Sequence, residues 1–482
     1  MAHQEQLSNG LNVVSFKQAA EDFGAVFVVP TPAVDSSGIA HLVEHLVFRT
    51  SDRYPARQTL FAANSLLPLK MNASSHNGFS YFYAVSPSKP VLIQAIDYLL
   101  AGLQQCVYSD DDIRRERDGV IARELAMYEA TADYQQQMAV WRGDRAPDCY
   151  HHWGGYCDTI SQLKANDVAD YKAQYYQAAR ITLLLSGVTK DELLTASHSP
   201  FYTSSARYTP RQHRFTAQTL EDDCIFSWWL PECYLDGLLS AKTRLKALLN
   251  KYNMQVIVED SPNYQQKFAF RIIGRPGQLM AAQQALIDEI KFLRIVPKQH
   301  LFFESKYPES INSLLAWYHG QQPLNRKVVA LTQALSVTPT ITSLKPLPKP
   351  IVRLVSRTAP QHAKCELVQA ALAHTSPVLH DKLPSRVAAL AEQRQTGQTF
   401  LCNQHDWIYW LSLEIPGQSA ADVARSLLEN EQFWLPRMSG QCYAMGVKLE
   451  GTTLICYGVM DDEPHRREQE IQRLFNTLNA ND

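Results

Sequence analysis

His41-Leu42-Val43-Glu44-His45 is the stretch from which the rest of the chain can be read. It has the form H-x-x-E-H, the inversion of the H-E-x-x-H pattern. On a helix, positions i and i+4 share a face, so both imidazoles can reach one metal ion. Imidazole nitrogen suits zinc, and two His with one carboxylate leave a fourth position open for water. Glu44 stands one residue before His45 and three after His41. That puts it beside the metal face, within reach of a water proton. Gly38-Ile39-Ala40 leads in, and Leu42, Val43, Leu46, Val47 and Phe48 give the helix an apolar body. The same apolar body admits a plainer reading, a buried amphipathic helix that carries two His without a metal.

Composition sets the frame around this motif. A chain of 482 residues is long enough for about two to four domains. Apolar residues make up 45%, enough for sizeable cores, and 46 Lys+Arg against 48 Asp+Glu leave a net charge of −2. That balance lacks the basic surface that nucleic acid or an anionic membrane would need, so neither is expected as a partner. Met1-Ala2-His3-Gln4-Glu5-Gln6 is polar with no apolar h-region, and no run approaches the roughly 18 apolar residues of a membrane span. Nine Cys with no C-x-x-C pair read as reduced, mostly buried thiols, and a cytoplasmic location is expected.

The fold class expected is α+β, with mixed or antiparallel sheets packed against helices. Residues 1–200 read as a first unit: strands at Leu11–Phe16 and Gly24–Val29, the motif helix at about 38–48, and a helix over Ala56–Leu66. Extended segments follow at Lys70–Asn72 and Phe79–Val85, then a helix over Pro90–Val107 marked by Leu92, Ala95, Ile96, Leu99, Leu100 and Leu103. One long helix is expected from Asp110 to Gln137, with Ser109 as its cap and three Asp in its first turn. A helix over Asn166–Tyr176, capped by Asn166, and a strand over Ile181–Ser186 close the unit. Residues 199–222 read as a linker, 223–337 as a second α+β region, 338–350 with its prolines as another linker, and 351–482 as a C-terminal α+β region.

A two-His site needs a third ligand, and the helix expected at 110–137 offers Glu116, Glu124 and Glu129. At this point the chain resembles the pitrilysin/insulinase family of zinc metallopeptidases. The resemblance rests on Gly38-Ile39-Ala40-His41-Leu42-Val43-Glu44-His45-Leu46-Val47-Phe48 and on Arg117-Asp118-Gly119-Val120-Ile121-Ala122-Arg123-Glu124-Leu125. It extends through Met71-Asn72-Ala73-Ser74, His151-His152-Trp153-Gly154-Gly155-Tyr156 and Leu183-Leu184-Leu185-Ser186-Gly187. Residues 61–86 stand nearest to its presequence-protease branch. The resemblance implies Glu124 as third ligand to one zinc per chain, and an extended substrate lying on the Asn72-Ala73 strand. It also implies a clamshell of such domains, here with its second half shortened.

A second element, Arg437-Met438-Ser439-Gly440-Gln441-Cys442-Tyr443-Ala444, resembles the family's Arg and Tyr that face the metal from the opposite half and stabilise an oxyanion. Two departures stand out. Gln441 replaces a Gly in that element, and Arg49-Thr50 stands where the family has Gly-Thr or Gly-Ser. Cys149, His151, His152 and Cys157 also cluster in sequence, but their spacing fits no zinc-finger or ribbon template.

The function these residues imply is a zinc metalloendopeptidase acting on peptides or short unfolded segments. Glu44 would be its proton carrier, and Arg437 and Tyr443 its oxyanion donors. Two other readings compete. One is a peptide-processing or peptide-binding subunit active only with a partner chain or a further copy of itself. The other is a non-catalytic scaffold, which would have no physical need for four polar residues around one point.

Overall fold

The computed structural model describes residues 2–18, 20–76, 78–129, 131, 151–194, 198–211, 224–231, 234–258, 267–291, 307–320, 331–336, 339–343, 363–379, 382–413 and 419–480. Their strands form three sheets. The first contains β1 (His3–Gln6), β2 (Asn12–Phe16), β3 (Phe23–Pro30), β4 (Lys70–His76), β5 (Phe79–Ser86) and β6 (Thr182–Ser186), in the order β1-β2-β6-β3-β5-β4. Only β2 and β6 pair in parallel, so the sheet is mixed and β4 is an edge strand. The α+β class read from the sequence holds.

The sequence of β3 is a continuous apolar run because both faces of this sheet are covered. Ala25, Phe27 and Val29 face one core, together with Phe82 and Leu183. On that side lie α1 (Ile39–Val47), α2 (Thr59–Leu66) and α3 (Lys89–Gln104). Val26, Val28, Tyr81, Tyr83 and Leu184 face the other way, against Tyr307, Ile311, Leu314 and Leu315. Those residues belong to the segment around the helix Glu309–Gly320, which the sequence reading left inside the second region and which instead roofs the first sheet.

The second sheet holds β7 (Cys224–Pro231), β8 (Gln255–Val258), β9 (Lys267–Gly274) and β10 (Thr340–Ser343), with helices Leu235–Asn250 and Leu279–Ile290 on one face. The presence of β10 corrects the reading of 338–350 as a connector. Thr340–Ser343 pairs with β7 as an antiparallel edge strand, and residues 344–350 lie outside the described set. The third sheet holds β11 (Phe400–Cys402), β12 (Trp407–Ser412), β13 (Cys442–Glu450) and β14 (Thr453–Asp461), in the order β11-β12-β14-β13. The first and third sheets share one apolar cluster. Trp407, Leu427, Trp434 and Leu454 join it from the last region, alongside residues of α1, α2 and α3.

Three further expectations are corrected. The long helix expected at 110–137 is not uniform: α4 (Asp110–Arg114) runs into a π-helical turn at Arg115–Ile121 and only then into α5 (Ala122–Glu129). Residues 132–137 lie outside the described set. Ser109 does cap this helix, its hydroxyl accepting from the Asp112 amide at 3.1 Å. The helix expected at 166–176 starts at Ala165 with Lys164, not Asn166, at its cap. The described part of the expected linker 199–222 is held against the first unit, because Asp35 grips its far end. One Asp35 oxygen accepts from the Tyr208 hydroxyl at 2.8 Å and the Arg211 amide at 2.7 Å, while the other accepts from the Ser37 amide at 2.9 Å.

Asp35 is buried, so its removal would leave the Ser37 and Arg211 amides without this acceptor and the Tyr208 hydroxyl with Ser37 Oγ alone. Asp35→Ala should lower unfolding stability by about 2–4 kcal/mol in a denaturant titration. It should also open 199–211 to limited proteolysis. An unchanged midpoint and an unchanged digestion pattern would show that the segment is held by its other contacts, among them Arg211 to Asp167 and the Tyr208 amide to Gln174.

Candidate metal centre

α1 is almost wholly buried: Ile39, Ala40, His41, Leu42, Val43, Leu46 and Val47 are all out of solvent. It begins at Gly38, whose φ of +79° an L side chain rarely adopts. A Cβ there would also lie 2.7 Å from the Gly154 carbonyl oxygen, so the loop 151–156 can press onto the helix start. That loop is fixed by the His152 amide donating to Ser36 Oγ at 3.1 Å and by Thr159 Oγ1 donating to the Ser36 carbonyl at 2.8 Å. Its purpose at the site is visible in one contact. The Gly154 carbonyl lies 3.3 Å from His41 Nδ1, which sets that nitrogen as the N–H and leaves Nε2 with its lone pair.

His45 is held in the same sense by a different group. Its Nδ1 lies 3.1 Å from Glu116 Oε2. The Glu116 carboxylate is itself clasped by Arg49, through Nε to Oε1 and through Nη2 to Oε2 at 3.2 Å. With both Nδ1 atoms occupied, the two Nε2 atoms turn to the remaining carboxylate. Glu124 Oε2 lies 3.7 Å from His41 Nε2 and 3.6 Å from His45 Nε2. Tetrahedral zinc with bonds of about 2.0–2.1 Å keeps its ligands about 3.3–3.4 Å apart, so this donor set fits such an ion. Among the described residues, His41, His45 and Glu124 are the one group of three His, Cys, Asp or Glu whose ligand atoms converge in this way.

The π-helical turn explains how Glu116 and Glu124 serve one centre. They are eight residues apart, which on a regular α-helix would put them about 80° out of phase. A π-helical turn takes up one extra residue and restores about the phase of a seven-residue spacing. Glu116 therefore reaches the back of His45 while Glu124 reaches its front.

Electrostatics follow from this crowding. Burial works against the charge on Glu124, but the hydrogen bond and charge of His41, with His45 and Arg437, bring its carboxyl down to about 2. Burial likewise opposes the charge on Glu116, yet Arg49 and His45 hold it down to about 2. Burial would lower the His41 imidazole, but Glu124, Glu44 and the Gly154 carbonyl lift it to about 9. Burial pushes Glu44 up, against the pull of His41, His45 and Ser75. One Glu44 oxygen, Oε2, is shut off from solvent with no hydrogen-bond partner. A buried carboxylate oxygen left without a donor beside two imidazoles is the kind of exception that marks a working group. Tyr128 stands one turn beyond Glu124, and burial and that carboxylate raise its hydroxyl to about 12.

The last region closes over this centre. Arg437 lies in the helix Glu431–Met438, with its guanidinium 5.5 Å from the Phe61 ring and 5.6 Å from the Tyr443 ring. It is close enough to Glu116 and Glu124 to interact with both charges, and burial beside Arg49 lowers its own pKa. Tyr443 is 48% exposed on edge strand β13. Asn72 and Ala73 lie on edge strand β4, Asn72 exposed and Ala73 partly so. The sequence reading missed the roles of Glu116 and Arg49, and of the Gly154 carbonyl. Arg49 had registered only as a departure, and a backbone acceptor leaves no trace in sequence. Among the described residues no second converging ligand group includes His152, whose Nδ1 lies 2.7 Å from the Gly155 carbonyl. Cys149 is outside the described residues.

Residues 33–145 match the family described as Insulinase (Peptidase family M16). The chain is similar to Coenzyme PQQ synthesis protein F of Pseudomonas protegens, at 27% identity over 163 residues, 33% of this chain and 19% of that protein. It is similar to Cytochrome b-c1 complex subunit 1, mitochondrial, of Bos taurus, at 26% over 214 residues, 42% of this chain and 43% of that one. It is also similar to the mitochondrial Presequence protease of Eremothecium gossypii, at 24% over 297 residues, 56% of this chain and 28% of that one. The chain spans less than half the length of each of these relatives.

The seat of the last region against the π-helical turn can be tested at Gly440. Its φ is +73°, and a Cβ there would lie 2.6 Å from the Gly119 carbonyl oxygen. Gly440→Ala should cost about 1–3 kcal/mol through strain and displacement, read as a lower denaturant midpoint. Parent-like stability would mean that the two backbones do not meet so closely in solution.

Proposed function

Because residues 33–145 match the insulinase family of peptidases, we propose that the chain is a zinc-dependent metalloendopeptidase acting on peptides or short unfolded segments. One observation carries this reading. Two Nε2 atoms and one carboxylate oxygen converge, and beside them stands a carboxylate oxygen with nothing to bond to. His41 and His45 through Nε2, and Glu124 through Oε2, would hold one zinc ion per chain. Bound there, zinc supplies Lewis-acid polarisation of the scissile carbonyl and of the attacking water.

The remaining work falls to the chain's own residues. Glu44 takes a proton from the attacking water and passes it to the leaving amine. A carboxyl raised by burial suits that exchange, because it must both accept and release the proton near neutral pH. Arg437 and Tyr443 supply donors to the oxygen that gains charge in the tetrahedral state. An extended peptide adds to the open edge of β4, with Asn72 and Ala73 facing it, so backbone hydrogen bonds hold it regardless of its side chains. The seven described cysteines are free, which fits the reducing cytoplasm. No described helix is long and apolar enough to cross a membrane.

A second reading takes support from the similarity to a protein named as a subunit, Cytochrome b-c1 complex subunit 1: this chain would cleave only when joined by a partner chain or a second copy of itself. The native mass of the purified chain, together with its activity alone, separates the two. A monomer that cleaves excludes the second reading.

Glu44→Gln keeps size and polarity but cannot accept a proton. Zinc content and peptide affinity should survive while hydrolysis falls roughly 10²–10⁴-fold. Loss of zinc in this variant would make Glu44 a ligand and overturn the mechanism. Glu124→Gln should lose most of the zinc; full occupancy would remove Glu124 from the ligand set.

Arg437→Ala and Tyr443→Phe should keep zinc and lower turnover by about 2.7–4 kcal/mol of barrier where the donor is well placed. Unchanged cleavage of a short unstructured peptide would exclude both as oxyanion donors.

A further inference from the structure

Arg49 has no part in the mechanism above, yet it is one of five buried arginines among the described residues. It follows α1 directly, with its amide donating to the Leu46 carbonyl at 3.0 Å, so its side chain starts from the frame of the motif helix. Its Nε and Nη2 meet the two oxygens of Glu116, a carboxylate that is buried as well. Its guanidinium carbon lies 5.1 Å from the Phe61 ring centre, which covers it on one side. Glu116 Oε2 thus has two partners, Arg49 Nη2 and His45 Nδ1. A carboxylate held by a planar fork cannot turn, and the imidazole bonded to it keeps its plane.

We propose that Arg49 is a positioning residue of the metal centre. It fixes Glu116 in place across the π-helical turn, and through Glu116 it fixes the ring of His45, so that Nε2 of His45 points where His41 Nε2 and Glu124 Oε2 converge. The inference rests on the zinc reading given above. It explains why an arginine fits there: a lysine would bring charge without the fork, and a residue without charge would leave Glu116 buried with one hydrogen-bond donor and no cation beyond the Arg437 charge.

The test is a double-mutant cycle read as zinc affinity, by competition with a chromogenic chelator. Arg49→Met should weaken zinc roughly 10–100-fold, the usual cost of removing an outer partner of a ligand. Arg49→Lys should recover part of that loss. Glu116→Gln should weaken zinc by a similar factor. Arg49→Met added to Glu116→Gln should cost little more, because Arg49 acts through Glu116. A merely structural role would lower the unfolding midpoint of the metal-free protein and give additive effects instead.

Arg49→Met binding zinc as tightly as the parent, or full additivity in the cycle, overturns the proposal. If Arg49→Met does not fold, Arg49→Lys carries the test, and parent-like affinity in it overturns the proposal. If the parent chain itself binds no zinc, the zinc reading fails and the inference with it.

Discussion

Two imidazoles on one buried helix must present the same nitrogen in the same direction, and most of what surrounds them serves that requirement. An imidazole has two nitrogens and two faces, and burial alone would not choose among them. Each Nδ1 is therefore taken up by an acceptor: the Gly154 carbonyl for His41 and the Glu116 carboxylate for His45. Each acceptor then needs its own support. The carbonyl depends on a loop that approaches the helix start closely enough to exclude a side chain at Gly38. The carboxylate depends on Arg49 and on a helix that has been taken out of regular register. The contacts that hold this loop and this helix in place belong as much to the centre as the ligands do.

The last region is fastened where it matters for the same centre. Arg57 Nε donates to Asp112 Oδ1 at 2.8 Å and its guanidinium lies 3.9 Å from Glu431, so one arginine joins α4 to the helix that carries Arg437. Gln58 donates to the Glu429 carbonyl at 2.9 Å, and Phe61 stacks on Trp434 with ring centres 5.3 Å apart. Phe61 also lies beside the guanidinium groups of both Arg49 and Arg437. A single aromatic ring is thus shared by the support of a ligand and by the closing element, and the two are packed together, not merely adjacent.

How much of this was legible in the sequence depended on range. His41, Glu44 and His45 could be read because five residues on one helix turn carry their own geometry. Glu124 was reached through resemblance, since nothing local distinguishes it from Glu116 or Glu129. Glu116 could not be placed, because its role depends on a π-helical turn braced by tertiary contact, with Gly440 against Gly119. Arg49 looked like a departure because its partner is far along the chain. The helix Glu431–Met438 was not anticipated because Pro436 lies inside it, and β13 because Gly446 and Lys448 break its apolar pattern. The unbroken apolar run of β3 did hold an unused signal. A strand buried on both faces needs a second cover, and that cover is the helix Glu309–Gly320.

A helix that crosses a reactive centre has little tolerance for gain or loss of a residue, since each one turns everything beyond it by about 100°. Here the surplus residue is stored in one widened turn, so the stretches before and after it stay in phase. That gives the segment slack at a single place. One residue can be lost between Glu116 and Ala122 while Glu116 and Glu124 keep their orientation, whereas a gain or loss at Ala122 or Arg123 would swing Glu124 away. Counting residues between ligands along a chain of this kind is therefore a poor measure of whether its centre is intact. The spatial pattern can persist while the spacing shifts by one.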